Sequence, residues 1–415
     1  MRPPRVTLLF AILLCLAGLL GASQPAAAKG AGKKDEPFRI RNEDYPEAFR
    51  KRVNASVDRG VEYLLQKQVA DGSWPANKNL LDHRLGHTAL MTLACLKGGI
   101  TKRDVQIRKA VDWMRTQKIT KVYDAGVLLM AIHALYSPTD AKSIVEVDKY
   151  GQRKIKDPCL TDMIPKDRAL MKKAVDFLLK HQEGGHWRYP EKGVDLSNTQ
   201  YALLGLWAAS RCGFKIPSKV WMDALNWLLK SQERTGRSVK LLINEVRGEY
   251  RVAWTENARA RGFRYIPGGS PVEGKKPVTG SMTTAGMASV AICQDELWSS
   301  RRFTPAMRKV SRRSIRDALA WMQDNFDVTR NPGEPGGGWL YYYLYGMERA
   351  GILARARFMG KHDWYKAGAD WLLAEQRSDG SWRGDGDPQI DSAFAILFLK
   401  RSTTRARNPA ITGPR

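Results

Sequence analysis

Near its C-terminal end the chain reads Ala369-Asp370-Trp371-Leu372-Leu373-Ala374-Glu375-Gln376-Arg377-Ser378-Asp379-Gly380-Ser381-Trp382. An apolar helical run ends in Gln, and a Gly-x-Trp follows in the next turn. The same phrase stands early in the chain, as Val61-Glu62-Tyr63-Leu64-Leu65 to Gln68 with Gly72-Ser73-Trp74. Ala174 to Gln182 with Gly185-His186-Trp187 is a third copy, while Ala110 to Gln117 and Ala224 to Gln232 keep the helix and the Gln. Ala318-Leu319-Ala320-Trp321-Met322 is a drifted sixth copy. Gln68 and Gln117 lie 49 positions apart, and Gln182 and Gln232 lie 50 apart. That period holds two helices and their turns.

A more apolar, small-residue-rich helix follows each copy: His87–Lys97, Asp124–Tyr136, Ser197–Cys212, Ser281–Trp298, Leu340–Ala350 and Asp391–Lys400. Ala202, Gly205 and Ala208, and likewise Ala285, Gly286 and Ala288, let neighbours approach closely. The Gln-ending helices keep charge on one side, as helices with a wet face do. One set is therefore an outer ring and the other an inner ring. Six pairs close into an all-α (α/α)6 toroid, and closure removes the need for end caps.

The Gln amide satisfies backbone groups left open at helix ends, and the Trp shields that contact from water. This combination resembles the QW repeat of the squalene cyclase and prenyltransferase superfamily. The resemblance runs from near Lys51 to Ser402, with Gly262-Phe263-Arg264-Tyr265 and Gly337-Gly338-Trp339 as worn versions in repeats four and five. It implies a terpene cyclase-like fold and says less about activity, since one fold hosts many functions.

The N-terminus has Arg2 and Arg5, an uncharged apolar run from Val6 to Ala22, and Ala26-Ala27-Ala28. These are the parts of a secretory signal peptide. We expect residues 1–28 to be a cleaved signal, 29–51 a linker, 52–402 the toroid with insertions at 137–165 and 233–280, and 403–415 a basic tail. Export is the expected localisation, with no membrane span left in the mature chain. The formal charge of +26 attracts anionic lipid or polysaccharide. Lys and Arg are spread along the chain without a nucleic-acid motif, so a specific nucleic-acid function is set aside. Cys95, Cys212 and Cys293 lie in apolar runs where a Cys behaves as a small hydrophobe. The spacing of these and Cys159 dictates no disulfide.

The Gly-x-Trp loops all lie on the rim where inner helices begin, so helix N-termini gather at one mouth, a field that favours anions. The 233–280 insertion is on that rim and is expected to fold over the mouth, while 137–165 is on the opposite rim. Candidate catalytic residues at the rim are His87, Asp124, Asp195, Asn198, Thr284 and Asp391; N-capping is the competing use of the Asp, Asn and Thr side chains. Trp254, Tyr342, Tyr343 and Tyr345 are candidate ligand contacts, with Tyr341 and Trp207 in the same lining. Glu348 and Arg349 are expected to pair with each other.

Class II cyclases of the resembled family start with a strong acid in an Asp-x-Asp-Asp-Thr motif at an inner-helix start. The comparable stretch here is Asp195-Leu196-Ser197-Asn198-Thr199, in which Ser197 stands in the proton donor's place. A hydroxyl cannot be that acid. The prenyltransferase zinc pair has one echo, Asp157-Pro158-Cys159, without a third ligand. Asp379, Asp385, Asp387 and Asp391 match no calcium loop spacing. No cofactor or metal is expected. Three readings stay open: a cyclase-like protein binding an apolar or anionic ligand (isoprenoid or other lipid) in the cavity; a polysaccharide-active lyase or glycosidase; and a non-catalytic envelope scaffold.

Overall fold

Among the described residues, twelve α-helices alternate between two kinds of burial. The computed structural model describes residues 38–41, 45–75, 83–137, 144–147, 153–156, 162–189, 193, 195–247, 250–266, 277–384 and 386–403. In α3 (Val105–Thr116) only Ile107, Ala110, Val111 and Met114 are buried, one stripe at helical spacing. In α8 (Gly280–Leu297) every residue except Glu296 is buried. The first kind comprises α1 (Glu47–Gln66), α3, α5 (Pro165–Lys180), α7 (Ser218–Ser231), α9 (Pro305–Asp324) and α11 (Trp364–Glu375). The second comprises α2 (Arg84–Gly98), α4 (Val122–Tyr136), α6 (Leu196–Arg211), α8, α10 (Leu340–Leu353) and α12 (Pro388–Leu399).

The second set closes on itself. Helix α2 packs on α4, α4 on α6, α6 on α8, α8 on α10, α10 on α12, and α12 back on α2. The first set packs around it, α1 touching α11, α12 and α2. The architecture is an all-α (α/α)6 toroid. Small residues set the spacing of the inner ring: a Cβ on Gly126 of α4 would lie 2.3 Å from the Tyr201 carbonyl oxygen of α6.

The Gln side chains stitch outer helices together. Gln68 Nε2 donates to Gln106 O at 2.9 Å, Gln182 Nε2 to Val220 O at 2.9 Å, and Gln232 Nε2 to Ser314 O at 2.9 Å. Gln106 and Val220 lie in the first turn of the next outer helix, and Ser314 lies midway along α9. Trp74, Trp187 and Trp382 are fully buried, and their indole N–H groups donate to the end carbonyls of Leu64, Leu178 and Leu372. Their backbone N–H groups donate to hydroxyls of the following inner helix, those of Thr88, Thr199 and Ser392. Phe263 repeats this pattern with Thr283 at 3.1 Å. Trp339 does not: it is 65% exposed with φ 62°. The α9–α10 connection runs through a tight Gly336-Gly337-Gly338 turn that turns this ring outward.

Several sequence expectations need correction. The linker assigned to 29–51 contains strand β1 (Phe38–Arg41) and the start of α1 at Glu47. The 137–165 insertion carries an antiparallel hairpin, β2 (Ile144–Val147) with β3 (Arg153–Lys156). The 233–280 insertion is a long hairpin, β4 (Arg237–Arg247) and β5 (Tyr250–Ala260), in a sheet ordered β1-β5-β4. It lies along α9 on the outer wall, not over the mouth. Arg259 N and Arg261 Nε both donate to the buried Asp317 carboxylate, and Leu242 N donates to Gln323 Oε1 at 2.9 Å. A short hairpin, β6 (Phe358–Met359) with β7 (His362–Asp363), precedes α11. Cys95, Cys212 and Cys293 are buried thiols not joined in disulfides. The signal segment, Cys159 and residues 404–415 lie outside the described residues. No helix among the described residues is long and apolar enough to cross a membrane.

Candidate functional site

Helices α2 and α12 start about one turn earlier than their sequence pattern suggests, so His87 and Asp391 sit inside the first turns, while the other inner helices start within two residues of it. Asp195 caps α6: Oδ1 accepts the Asn198 backbone N–H at 2.7 Å and Oδ2 accepts Asn198 Nδ2 at 2.9 Å. Burial raises its carboxyl above the usual range, while the Asn198 and Ser197 hydrogen bonds pull it back. Its oxygens are committed to local structure. Asp391 likewise holds a turn, accepting the Gly384 N–H at 2.7 Å. Thr284 donates its hydroxyl to Gly280 O and Ser281 O at 2.9 Å each, against Gly346 of α10. It is a helix contact.

Asp124 is different. It lies inside α4, whose N-cap is Lys121, and is 2% exposed. Its Oδ1 stands 3.2 Å from Nδ1 of His83, the N-cap residue of α2. Burial raises the Asp124 carboxyl, opposed by His83 and the Gly86 N–H. The sequence reading chose His87 and missed His83, although the two stand four residues apart at the start of one helix. His87 is 2% exposed, with neither ring nitrogen hydrogen-bonded among the described residues. Burial lowers its pKa, and Asp387 at the start of α12 partly offsets this.

An aromatic belt leads from His83 across the inner ring. The ring of His83 stands edge-on to Tyr123 at 5.7 Å and to Tyr189 at 6.1 Å. Tyr123 meets Tyr201 of α6 at 4.7 Å, and Tyr201 stacks with Tyr342 of α10 at 6.4 Å. Tyr342 and Tyr345 both meet Phe394 of α12. Four inner helices thus bring aromatic side chains together at centroid separations typical of favourable pairs.

The belt encloses one cation. Arg349 of α10 is 1% exposed. Its guanidinium lies 3.9 Å over the Tyr345 ring, and Nη2 donates to Gln200 Oε1 at 3.0 Å. Gln200 Nε2 in turn donates to the Tyr342 hydroxyl. The expected Glu348–Arg349 pair does not form, because consecutive residues of a helix diverge in direction. Glu348 turns away, and its carboxylate accepts the Thr403 N–H at 2.9 Å and the Thr403 hydroxyl at 2.6 Å. Thr403, assigned to a basic tail, is therefore part of the fold.

The other aromatic candidates separate. Tyr342 and Tyr345 join the belt. Tyr343, fully buried, donates its hydroxyl to Asp327 O at 3.0 Å and so faces the α9–α10 connection. Tyr341 packs on Trp371 of α11. Trp254 sits on the outer wall, lining a narrow crevice with Leu241 and Phe358. Trp207 belongs to the opposite rim: its indole donates to Asp295 at 3.1 Å, Arg211 lies 4.1 Å over its ring, and it borders a cavity of about 40 Å³ with His133 and Tyr345.

Among the described residues no group of three His, Cys, Asp or Glu is placed to hold a metal ion. Asp379 accepts the Ser381 N–H and pairs with Arg383, and Asp387 caps α12. Asp385, Asp157 and Cys159 lie outside the described residues.

No protein-family model matches the chain, and no curated protein matches it. Solved structures similar to it include a variant of the type II terpene cyclase MstE from Scytonema with its substrate geranylgeranyl dihydroxybenzoate. The identity is 12%, covering 86% of this chain and 99% of that one, with a TM-score of 0.47. A second MstE variant with its product merosterolic acid A gives 12% identity, the same coverages and a TM-score of 0.48. The ligand-free enzyme gives 12% identity over 85% of this chain and 99% of its own, at 0.44.

Proposed function

We propose that this protein binds an elongated apolar ligand, of isoprenoid or other lipid character, in the inner ring from the mouth where the inner helices begin, and acts after export. The aromatic belt from His83 through Tyr123, Tyr201 and Tyr342 to Phe394 carries this reading. It gathers large, weakly polar surface, with His83, Tyr123 and Tyr342 half-buried and Tyr201 and Phe394 buried. Such a lining with a few convergent polar groups is what small-molecule sites offer. Class II cyclase chemistry is not part of the proposal. Ser197 replaces the acid, and Asp195 is hydrogen-bonded twice to Asn198.

The test is binding. Purified protein is extracted with organic solvent and the extract analysed by mass spectrometry, and a C20 isoprenoid alcohol is titrated against tyrosine and tryptophan fluorescence. Retained lipid, or saturable quenching that Tyr342→Ala weakens about tenfold, is the expected outcome. An empty extract together with no saturable change defeats the proposal.

The His83–Asp124 contact favours a second reading, proton transfer at the mouth. A buried carboxylate beside Nδ1 holds an imidazole in one orientation and leaves Nε2 to act. If the bound ligand takes up deuterium from D₂O with the native protein and not with His83→Gln, this reading gains over simple binding. Equal uptake in both proteins removes it. The polysaccharide reading would draw on the candidate carboxylates Asp124, Asp195 and Asp391, of which Asp195 holds a helix cap and Asp391 a turn. The envelope-scaffold reading predicts retention in the envelope fraction that salt releases.

A further inference from the structure

Arg349 is the least expected group in the inner ring. It is a permanent cation at 1% exposure. Its Nε and Nη1 have no hydrogen-bond partner among the described residues, and neither does the hydroxyl of Tyr201, which is 3% exposed. The Tyr201 ring lies 5.9 Å from the guanidinium carbon. Among the described residues no carboxylate forms an ion pair with it: the adjacent Glu348 accepts from Thr403. It donates to the amide oxygen of Gln200 and lies over the face of Tyr345.

Burying an unpaired charge is among the costliest arrangements a protein adopts, and apolar replacements of similar volume are commonly neutral or stabilising. Helix packing gives no reason for Arg here. A Met would fill a similar volume beside the Tyr345 ring without the charge. What the guanidinium supplies is a planar set of donors suited to a carboxylate or phosphate. Burial pushes the Tyr201 phenol above its ordinary pKa, so it stays a neutral donor. Two guanidinium nitrogens and, on a ring 5.9 Å from the guanidinium carbon, one phenol hydroxyl are therefore left without hydrogen-bond partners among the described residues.

We infer that Arg349, with Tyr201, forms an anion subsite within the inner ring that receives the carboxylate or phosphate end of the ligand. The inference rests on the ligand-binding reading above and adds the ligand's chemical class: an amphiphile with a negatively charged head and an apolar tail. Gln200 fixes the guanidinium through Nη2, while Nε and Nη1 have no hydrogen-bond partner among the described residues. The Tyr342 hydroxyl accepts from the same Gln200, so the belt and the guanidinium share one amide.

Four probes with one C20 isoprenoid tail test this: the carboxylic acid, its methyl ester, the alcohol and its monophosphate. Binding to the full chain is measured by calorimetry. The wild-type protein is expected to bind the acid or the monophosphate at least tenfold tighter than the ester. The tighter of the two anions identifies the head group. Arg349→Met is expected to abolish that preference while still binding the ester, and to melt no lower than wild type. Tyr201→Phe keeps the fold and weakens anion binding several-fold. Equal affinity for acid and ester in the wild type overturns the anion subsite and leaves the apolar pore standing. If no probe binds, the pore reading fails and the subsite with it. A sharp loss of melting temperature in Arg349→Met with the acid preference intact assigns the guanidinium a structural role and also overturns the inference.

Discussion

Gln376 reaches from the last outer helix region back to the first: its Nε2 donates to the Ser56 backbone carbonyl at 2.8 Å, across 320 residues of chain. The same side chain accepts the Ser56 hydroxyl at 2.8 Å and donates to Gly380 O at 3.0 Å. This is the seam at which the toroid closes. The other Gln stitches join neighbours in sequence; this one joins the ends.

Gln376→Ala leaves the Ser56 and Gly380 carbonyls without that donor. A lost partner of this kind costs about 1–3 kcal/mol. The expected result in chemical denaturation is a loss of that size, with amide exchange accelerating first in α1 and α12. Gln117→Ala is the control: its amide bonds only its own helix, at Trp113 O and Thr116. It should cost less than half as much.

Gly205→Ala tests the inner-ring spacing. A Cβ there would stand 2.7 Å from the Gly126 Cα and 2.9 Å from its oxygen, both backbone atoms that cannot turn aside. Helix propensity favours Ala by about 1 kcal/mol, while overpacking costs about 1–3 kcal/mol. The net expectation is destabilisation, read as a lower denaturation midpoint with the m-value unchanged. A stabilised variant would show that α4 and α6 are not held at this distance.

Glu348 carries a pH signature. Burial raises its carboxyl from the ordinary 4.5 to about 7, against the hydrogen bonds from Thr403. The folded state then holds a proton that the unfolded state releases between about pH 4.5 and 7. Stability from this group is full below 4.5 and falls as pH rises through that window. The ceiling is about 3 kcal/mol. Glu348→Gln keeps the shape without the charge, so it is expected to gain stability over wild type at pH 8 and to show no difference near pH 4. A wild-type advantage at pH 8 would refute the assignment.

His87 acts in the opposite sense. Burial holds its folded pKa below the ordinary 6.5. The unfolded chain therefore binds the extra proton first, and stability is lost as pH falls below about 6.5. His87→Met removes the proton site and is expected to flatten the melting curve between pH 6.5 and 5, with little change at pH 8. An unaltered acid limb would place the titrating group elsewhere.

The reading of individual residues followed how local their causes are. Trp74 and Trp382 sit at fixed offsets from their Gln, because helix, turn and cover are consecutive in the chain. Phe263 was readable for the same reason. Trp339 kept the same letters and broke the pattern, since a Gly-rich turn directed its ring outward. The β4–β5 hairpin left a period-two trace, Val239, Leu241 and Ile243 facing the wall.

The sequence by itself determined the repeat, its period, the two classes of helix and hence the closed double ring. Periodic burial is written in periodic residues. Only the tertiary structure decided which side chains share the inner ring. Asp124 meets His83 across 41 positions, and Arg349 meets Gln200 across 149. No local rule couples such residues; the angle at which each inner helix presents its first turns does. That angle is set by contacts such as Gly126 on Gly205, summed around the ring.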